Sequence, residues 1–146
     1  MDSDDKDKIH TQVKLVDRKV LIVDDSASDR LIVKAILSKL GIVNIVEAES
    51  ANAAIFKLEN AADSKKAFDL VISDWSMPGK TGYELLRLIR NDRRLKQTLV
   101  MIITSTADAN RVSEALKLGI ADFVVKPIHH RVLAEKIEKI LIAKEN

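Results

Sequence analysis

The chain has no cysteine among its 146 residues. That excludes a disulfide framework, thiol chemistry and thiolate-bound zinc, and it fits a reducing compartment. Aromatic residues are nearly as scarce, with three Phe, one Trp and one Tyr. The 24 Lys and Arg are dispersed among 22 Asp and Glu, for a net charge of +2. No basic stripe interleaved with aromatics marks a nucleic-acid reader, and no charge excess argues for an anionic membrane surface. No run of about 18 apolar residues exists to span a bilayer. The segment Met1-Asp2-Ser3-Asp4-Asp5-Lys6-Asp7-Lys8 lacks the apolar stretch of a secretory signal, so the cytoplasm is the expected setting. There is no internal repeat, low-complexity tract or interdomain linker, and the length suits one domain with a proper core.

What is present is a regular alternation. Residues 1–18 mix acids and bases with few apolar positions and read as a flexible arm, although Val13, Leu15 and Val16 could lay a short edge strand on the body. The body is expected over residues 19–146. Short apolar runs rich in β-branched residues predict buried strands at Lys19–Val23, Ile42–Glu47, Leu70–Ile72, Leu99–Ile103 and Ala121–Val125. Between them, apolar residues at three- and four-residue spacing predict helices. The first is capped by Ser26 or Asp25 and stopped by Gly41. The second is capped by Ser50, the third runs from about Gly82 to Asn91, the fourth from about Asp108 to Leu118, and the last nearly to the end. Five strands alternating with five helices imply right-handed βαβ crossovers and a doubly wound α/β fold.

Four of the five strands end in something chemically pointed: Asp24-Asp25, Asp74, Thr104 and Lys126. In a parallel sheet these ends share one edge, where ligands bind in open α/β folds. Packed carboxylates repel one another unless a cation neutralises them, and hard oxygen donors suit Mg²⁺. An aspartate held by a metal beside an ammonium and a hydroxyl is equipped to attack a phosphoryl group and hold the product. Taken singly, each residue has a plainer reading. The acid doublet could cap a helix, Asp74 could be a turn aspartate before Pro78-Gly79, Thr104 could cap a strand end, and Lys126 could be solvated. Their joint placement at strand ends favours the site.

The acid pair after strand one, Asp74-Trp75-Ser76-Met77-Pro78-Gly79 after strand three, Thr104 after strand four and Lys126-Pro127 after strand five together resemble response-regulator receiver domains. The CheY-like single-domain regulators of chemotaxis are among these. The resemblance covers residues 19 to about 144 and implies the flavodoxin-like strand order 2-1-3-4-5. It implies that Asp74 accepts phosphate from a histidine kinase or phosphotransfer protein. Asp24, Asp25, Asp74 and the main-chain carbonyl of Ser76 would hold Mg²⁺. Lys126, across a cis bond to Pro127, would contact the phosphoryl group with Thr104 and Ser105. Phe123 would turn inward as Thr104 moves, reshaping the face of helix four, strand five and helix five for a downstream protein target. The implied protein is a monomer or weak homodimer that contacts neither nucleic acid nor membrane.

Two departures from the chemotaxis pattern bear on kinetics. Phe123 stands where a tyrosine is common. Ser76 and Thr106 stand where the fast-hydrolysing chemotaxis protein has an amide and an acid, and small hydroxyls orient an attacking water poorly. A longer-lived phosphoryl group is therefore expected. Trp75 is expected as a half-exposed lid, Glu47 and Glu49 as solvated loop acids, and His10, His129 and His130 as surface residues. The lysines and arginines of the last two helices are expected as an exposed face where a partner would land. The competing function is an aspartate-nucleophile phosphohydrolase, but that class expects Asp-x-Asp after strand one and a cap over the site. A nucleotide- or flavin-binding domain would need a glycine-rich loop where Asp24-Asp25-Ser26-Ala27-Ser28 stands.

Overall fold

A computed structural model of the chain describes residues 15–145. The strands are β1 (Lys19–Val23), β2 (Asn44–Ala48), β3 (Leu70–Asp74), β4 (Leu99–Thr104) and β5 (Asp122–Val125). They form one parallel sheet in the order β2-β1-β3-β4-β5. The helices are α1 (Ala27–Lys39), α2 (Ala51–Asp63), α3 (Gly82–Asn91), α4 (Val112–Lys117) and α5 (His130–Glu145), with a 3₁₀ segment at Thr106–Arg111. The doubly wound fold with five helices and the order 2-1-3-4-5 is as expected.

Side chains of a strand alternate between faces, and the two apolar layers follow that period. Val20 and Ile22 of β1, Leu70 and Ile72 of β3, and Met101 and Ile103 of β4 pack with Val33, Ile36 and Leu37 of α1 and Leu133, Ile137 and Leu141 of α5. Leu21, Val71, Val100 and Ile102 face the other way, against α2, α3 and α4. Because both faces are covered, β3 is buried along its whole length, which is why it reads as an uninterrupted apolar run.

The local signals act as their chemistry dictates. Ser26, Ser50 and Thr81 each accept a backbone N–H of the first helical turn, capping α1, α2 and α3. Gly41 and Gly119 take positive φ after α1 and α4, and the Lys126–Pro127 bond is cis.

Three boundaries differ from expectation. Leu15, expected in the arm, is 2% exposed and packs among the α1 and α5 residues. Leu15 and Val16 are helical rather than an edge strand, while Val13 and His10 lie outside the described residues. The fourth helix is shorter than expected, because Thr106–Arg111 has no buried residue and winds as 3₁₀ before α4 starts. The second strand runs Asn44–Ala48 rather than Ile42–Glu47, and Glu47 within it is not a solvated loop acid but pairs with Arg30 at 3.1 Å and Lys34 at 3.7 Å.

Candidate phosphoryl-accepting site

Sheet register builds the site. Val23 pairs with Ser73, so the next residues, Asp24 and Asp74, lie side by side at the carboxyl edge. Asp74 pairs with Ile103, and Thr104 with Val125, which brings Thr104 and Lys126 to the same edge. Backbone bonds continue the strands into the loops: the Trp75 N–H donates to Ile103 O at 2.8 Å and the Lys126 N–H to Thr104 O at 2.7 Å.

Asp24, Asp25 and Asp74 each offer a carboxylate oxygen, and these oxygens lie within 4.8 Å of one another. Asp24 and Asp74 are buried, whereas Asp25 is exposed. Burial pushes the Asp24 carboxyl up to about 6, and the neighbouring Asp74 adds to the shift against the opposing Ser26 N–H and Lys126. Burial likewise raises Asp74, opposed by Lys126. The Lys126 ammonium stands 3.5 Å from Asp74 Oδ2 and 3.2 Å from Asp29 Oδ2. Burial alone would depress Lys126, but Asp74, Asp29 and Asp24 outweigh it and hold the group above its ordinary value. Two buried acids that resist ionisation, with a third at the rim, form an oxygen donor set suited to a divalent cation. A bound cation would offset both the desolvation of these carboxylates and their mutual repulsion.

The hydroxyls are placed less directly. Thr104 is fully buried, and its Oγ1 donates to Ser105 O at 3.3 Å rather than to Asp74. Ser76 is exposed, and its hydroxyl donates to Asp108 Oδ2 at 3.0 Å. Ser105 reaches the same oxygen at 3.2 Å. Thr106 is exposed at the start of the 3₁₀ segment. Phe123 is half-buried at the edge of the α2–α4 layer, with the Lys136 ammonium 5.9 Å from its ring centre. His129 and His130 are exposed at the start of α5.

Trp75 is not a lid. It is 3% exposed, and its ring stacks on Tyr83 with centroids 5.7 Å apart. The register explains this: Trp75 follows Asp74 and so faces the opposite layer. Three contributors escaped sequence reasoning. Asp29, one turn into α1, gives Lys126 its second anion. Asp108 arrives from the 3₁₀ segment. Gly82 opens α3 against the strand end: its N–H donates to Trp75 O at 2.8 Å, and a Cβ there would collide with the Asp74 carbonyl oxygen. A glycine directly after a Thr cap, eight residues beyond a strand-end acid, was the only available signal.

A doubly wound sheet with an acid triad and a lysine at its carboxyl edge defines an open α/β domain with a candidate cation-binding edge. The response regulator receiver domain family matches residues 20–138, and the chain belongs to that family. Among curated relatives, the chemotaxis protein CheY of Pseudomonas aeruginosa is 43% identical over 122 residues, covering 84% of this chain and 94% of the relative. CheY1 of Helicobacter pylori is 40% identical over 123 residues, covering 84% of this chain and 96% of the relative. The solved structure of the chemotaxis response regulator CheY4 of Vibrio cholerae superposes with a TM-score of 0.71 at 30% identity, covering 84% of this chain and 98% of that one. The chain is thus a response-regulator domain of the two-component type, similar to chemotaxis regulators. Among the described residues, no helix is long and apolar enough to cross a membrane.

Proposed function

We propose that this chain is a phosphorylation-controlled signalling switch whose Asp74 accepts a phosphoryl group from the phosphohistidine of a sensor kinase or phosphotransfer protein. One Asp74 carboxylate oxygen attacks phosphorus. The new O–P bond forms as the N–P bond breaks, and the imidazole nitrogen keeps the electron pair and takes a proton. The observation that carries this reading is the meeting of Asp24, Asp25 and Asp74 within 4.8 Å, with the Lys126 ammonium 3.5 Å from Asp74. Asp24, Asp25, Asp74 and the main-chain carbonyl of Ser76 would hold Mg²⁺, which supplies charge neutralisation for the acids and the incoming phosphoryl oxygens. Lys126 binds a phosphoryl oxygen and balances its charge. Thr104 and Ser105 donate hydrogen bonds to the product, and Phe123 repacks as Thr104 moves.

The output is binding rather than turnover. The phosphorylated form presents the α4–β5–α5 face to a downstream protein, and the chemotaxis relatives make a motility component the leading class. The small hydroxyls of Ser76 and Thr106 support a long phosphoryl lifetime. The test is mass measurement after incubation with acetyl phosphate and Mg²⁺. The wild type should gain one phosphate and Asp74→Asn none. Equal labelling of both proteins would overturn Asp74 as the acceptor, and continuous hydrolysis of a generic phosphomonoester would favour the phosphohydrolase reading instead.

A further inference from the structure

We infer that Asp108 is a positioning residue of the phosphoryl-accepting site, one that ties the loop after β4 to the loop after β3 and holds the Thr104 hydroxyl turned away from Asp74; this rests on the phosphoacceptor reading of Asp74. Asp108 Oδ2 accepts from Ser76 Oγ at 3.0 Å and from Ser105 Oγ at 3.2 Å. The first bond joins residues 32 apart in sequence and links the segment two residues beyond the acceptor to the segment that follows Thr104. Hydrogen bonds to an ionised acceptor are the stronger kind. The Asp108 side chain is only 19% exposed, and its other oxygen lies 4.0 Å from Arg111, which limits its freedom to swing away.

The consequence reaches Thr104. Its hydroxyl donates to the Ser105 carbonyl, so it must turn before it can serve an oxygen on Asp74. Ser105 is held in turn by its own side chain on Asp108. Moving Thr104 and Ser105 toward a phosphoryl group therefore strains or breaks the Ser76–Asp108–Ser105 bridge. Asp108 thereby biases the site toward the arrangement with Thr104 turned away, and any ligand that draws Thr104 toward Asp74 works against that bias.

The test uses beryllofluoride with Mg²⁺, titrated calorimetrically into the whole chain. Asp108→Ala, which releases both bonds, and Ser76→Ala, which releases one, should each bind it about three- to tenfold more tightly than wild type, the net worth of a typical hydrogen bond. The double variant should bind no more tightly than the stronger single one, because both changes cut the same bridge. Ser76→Ala keeps the Asp108 charge and its bond to Ser105, so a gain in Asp108→Ala that is missing in Ser76→Ala means the Ser76 link holds nothing and overturns the bridge. Unchanged or weaker binding in Asp108→Ala, with a lowered urea midpoint, marks a merely structural residue and also overturns it. If wild type and Asp74→Asn bind beryllofluoride indistinguishably, the acceptor reading falls and the bridge falls with it. Tight wild-type binding without the variant effects removes the bridge alone.

Discussion

Burial of a carboxylate at Asp24 leaves a pH signature. Its carboxyl is shifted from 3.8 to about 6, chiefly by desolvation, so the folded chain binds that proton more tightly than the unfolded chain. The resulting stabilisation is complete below 3.8 and is lost as pH rises through about 6. At neutral pH the ionised group costs the metal-free protein about 3 kcal/mol. Asp24→Asn should therefore raise the urea midpoint of metal-free protein near neutral pH, by roughly 1–3 kcal/mol of stability. The same change should abolish the stabilisation that Mg²⁺ gives. In the wild type, Mg²⁺ should raise the midpoint more at about pH 7.5 than at about pH 5, where protons compete with the metal. Denaturant titrations at the two pH values check both statements. The acids and Lys126 were legible as residues because strand ends are countable. Asp29 and Asp108 were not, because each approaches the site from a helical segment whose rotation only packing decides.

The segment Thr106–Lys117 is more thinly anchored than α1, α2 or α3. Its 3₁₀ part buries nothing, and α4 buries only Val112 and Ala115. Ala107, Asp108, Ala109 and Asn110 offer no large apolar side chain, so helical spacing alone overstated the order here. The far end of α4 is fixed from outside: Arg90 of α3 donates to the carbonyls of Leu118, Gly119, Thr98 and Lys96. With few buried contacts, local opening is cheap. Amide hydrogen exchange should be fastest among the helices across Thr106–Lys117, at least about tenfold faster than in α2. Protection of this segment equal to that of α2 would contradict the argument. By contrast, α3 spans the expected Gly82–Asn91, because Thr81 caps it and Leu85, Leu86 and Ile89 face the sheet.

Across the whole molecule, the end of the sheet opposite the site is closed by Asp69. Its carboxylate accepts the Lys19 N–H at 2.8 Å and meets Arg18 at 3.4 Å and Lys144 at 3.0 Å. One side chain thus joins the entry into β1, the start of β3 and the end of α5. Leu15 adds a buried side chain beneath α1 and α5. A chain beginning at Lys19 should keep acetyl phosphate labelling of Asp74 while losing about 2–4 kcal/mol of stability, since it forfeits a buried leucine and the Arg18 contact. Paired labelling and urea unfolding of the two lengths measure this. The sheet and its topology were legible because period-two burial and right-handed crossovers leave few arrangements. The inner boundary was not, because a lone Leu15 among charged residues carries no periodicity to mark it as core.

Trp75 has a practical consequence. It is the chain's single tryptophan, adjoins the acceptor in sequence, stacks on Tyr83, and is bonded through its main chain to Ile103 and Gly82. The protein therefore carries a native optical reporter beside its own site. On the phosphoacceptor reading, intrinsic fluorescence should change when Asp74 is loaded through these main-chain links, in unlabelled material and without a second indole to dilute the signal.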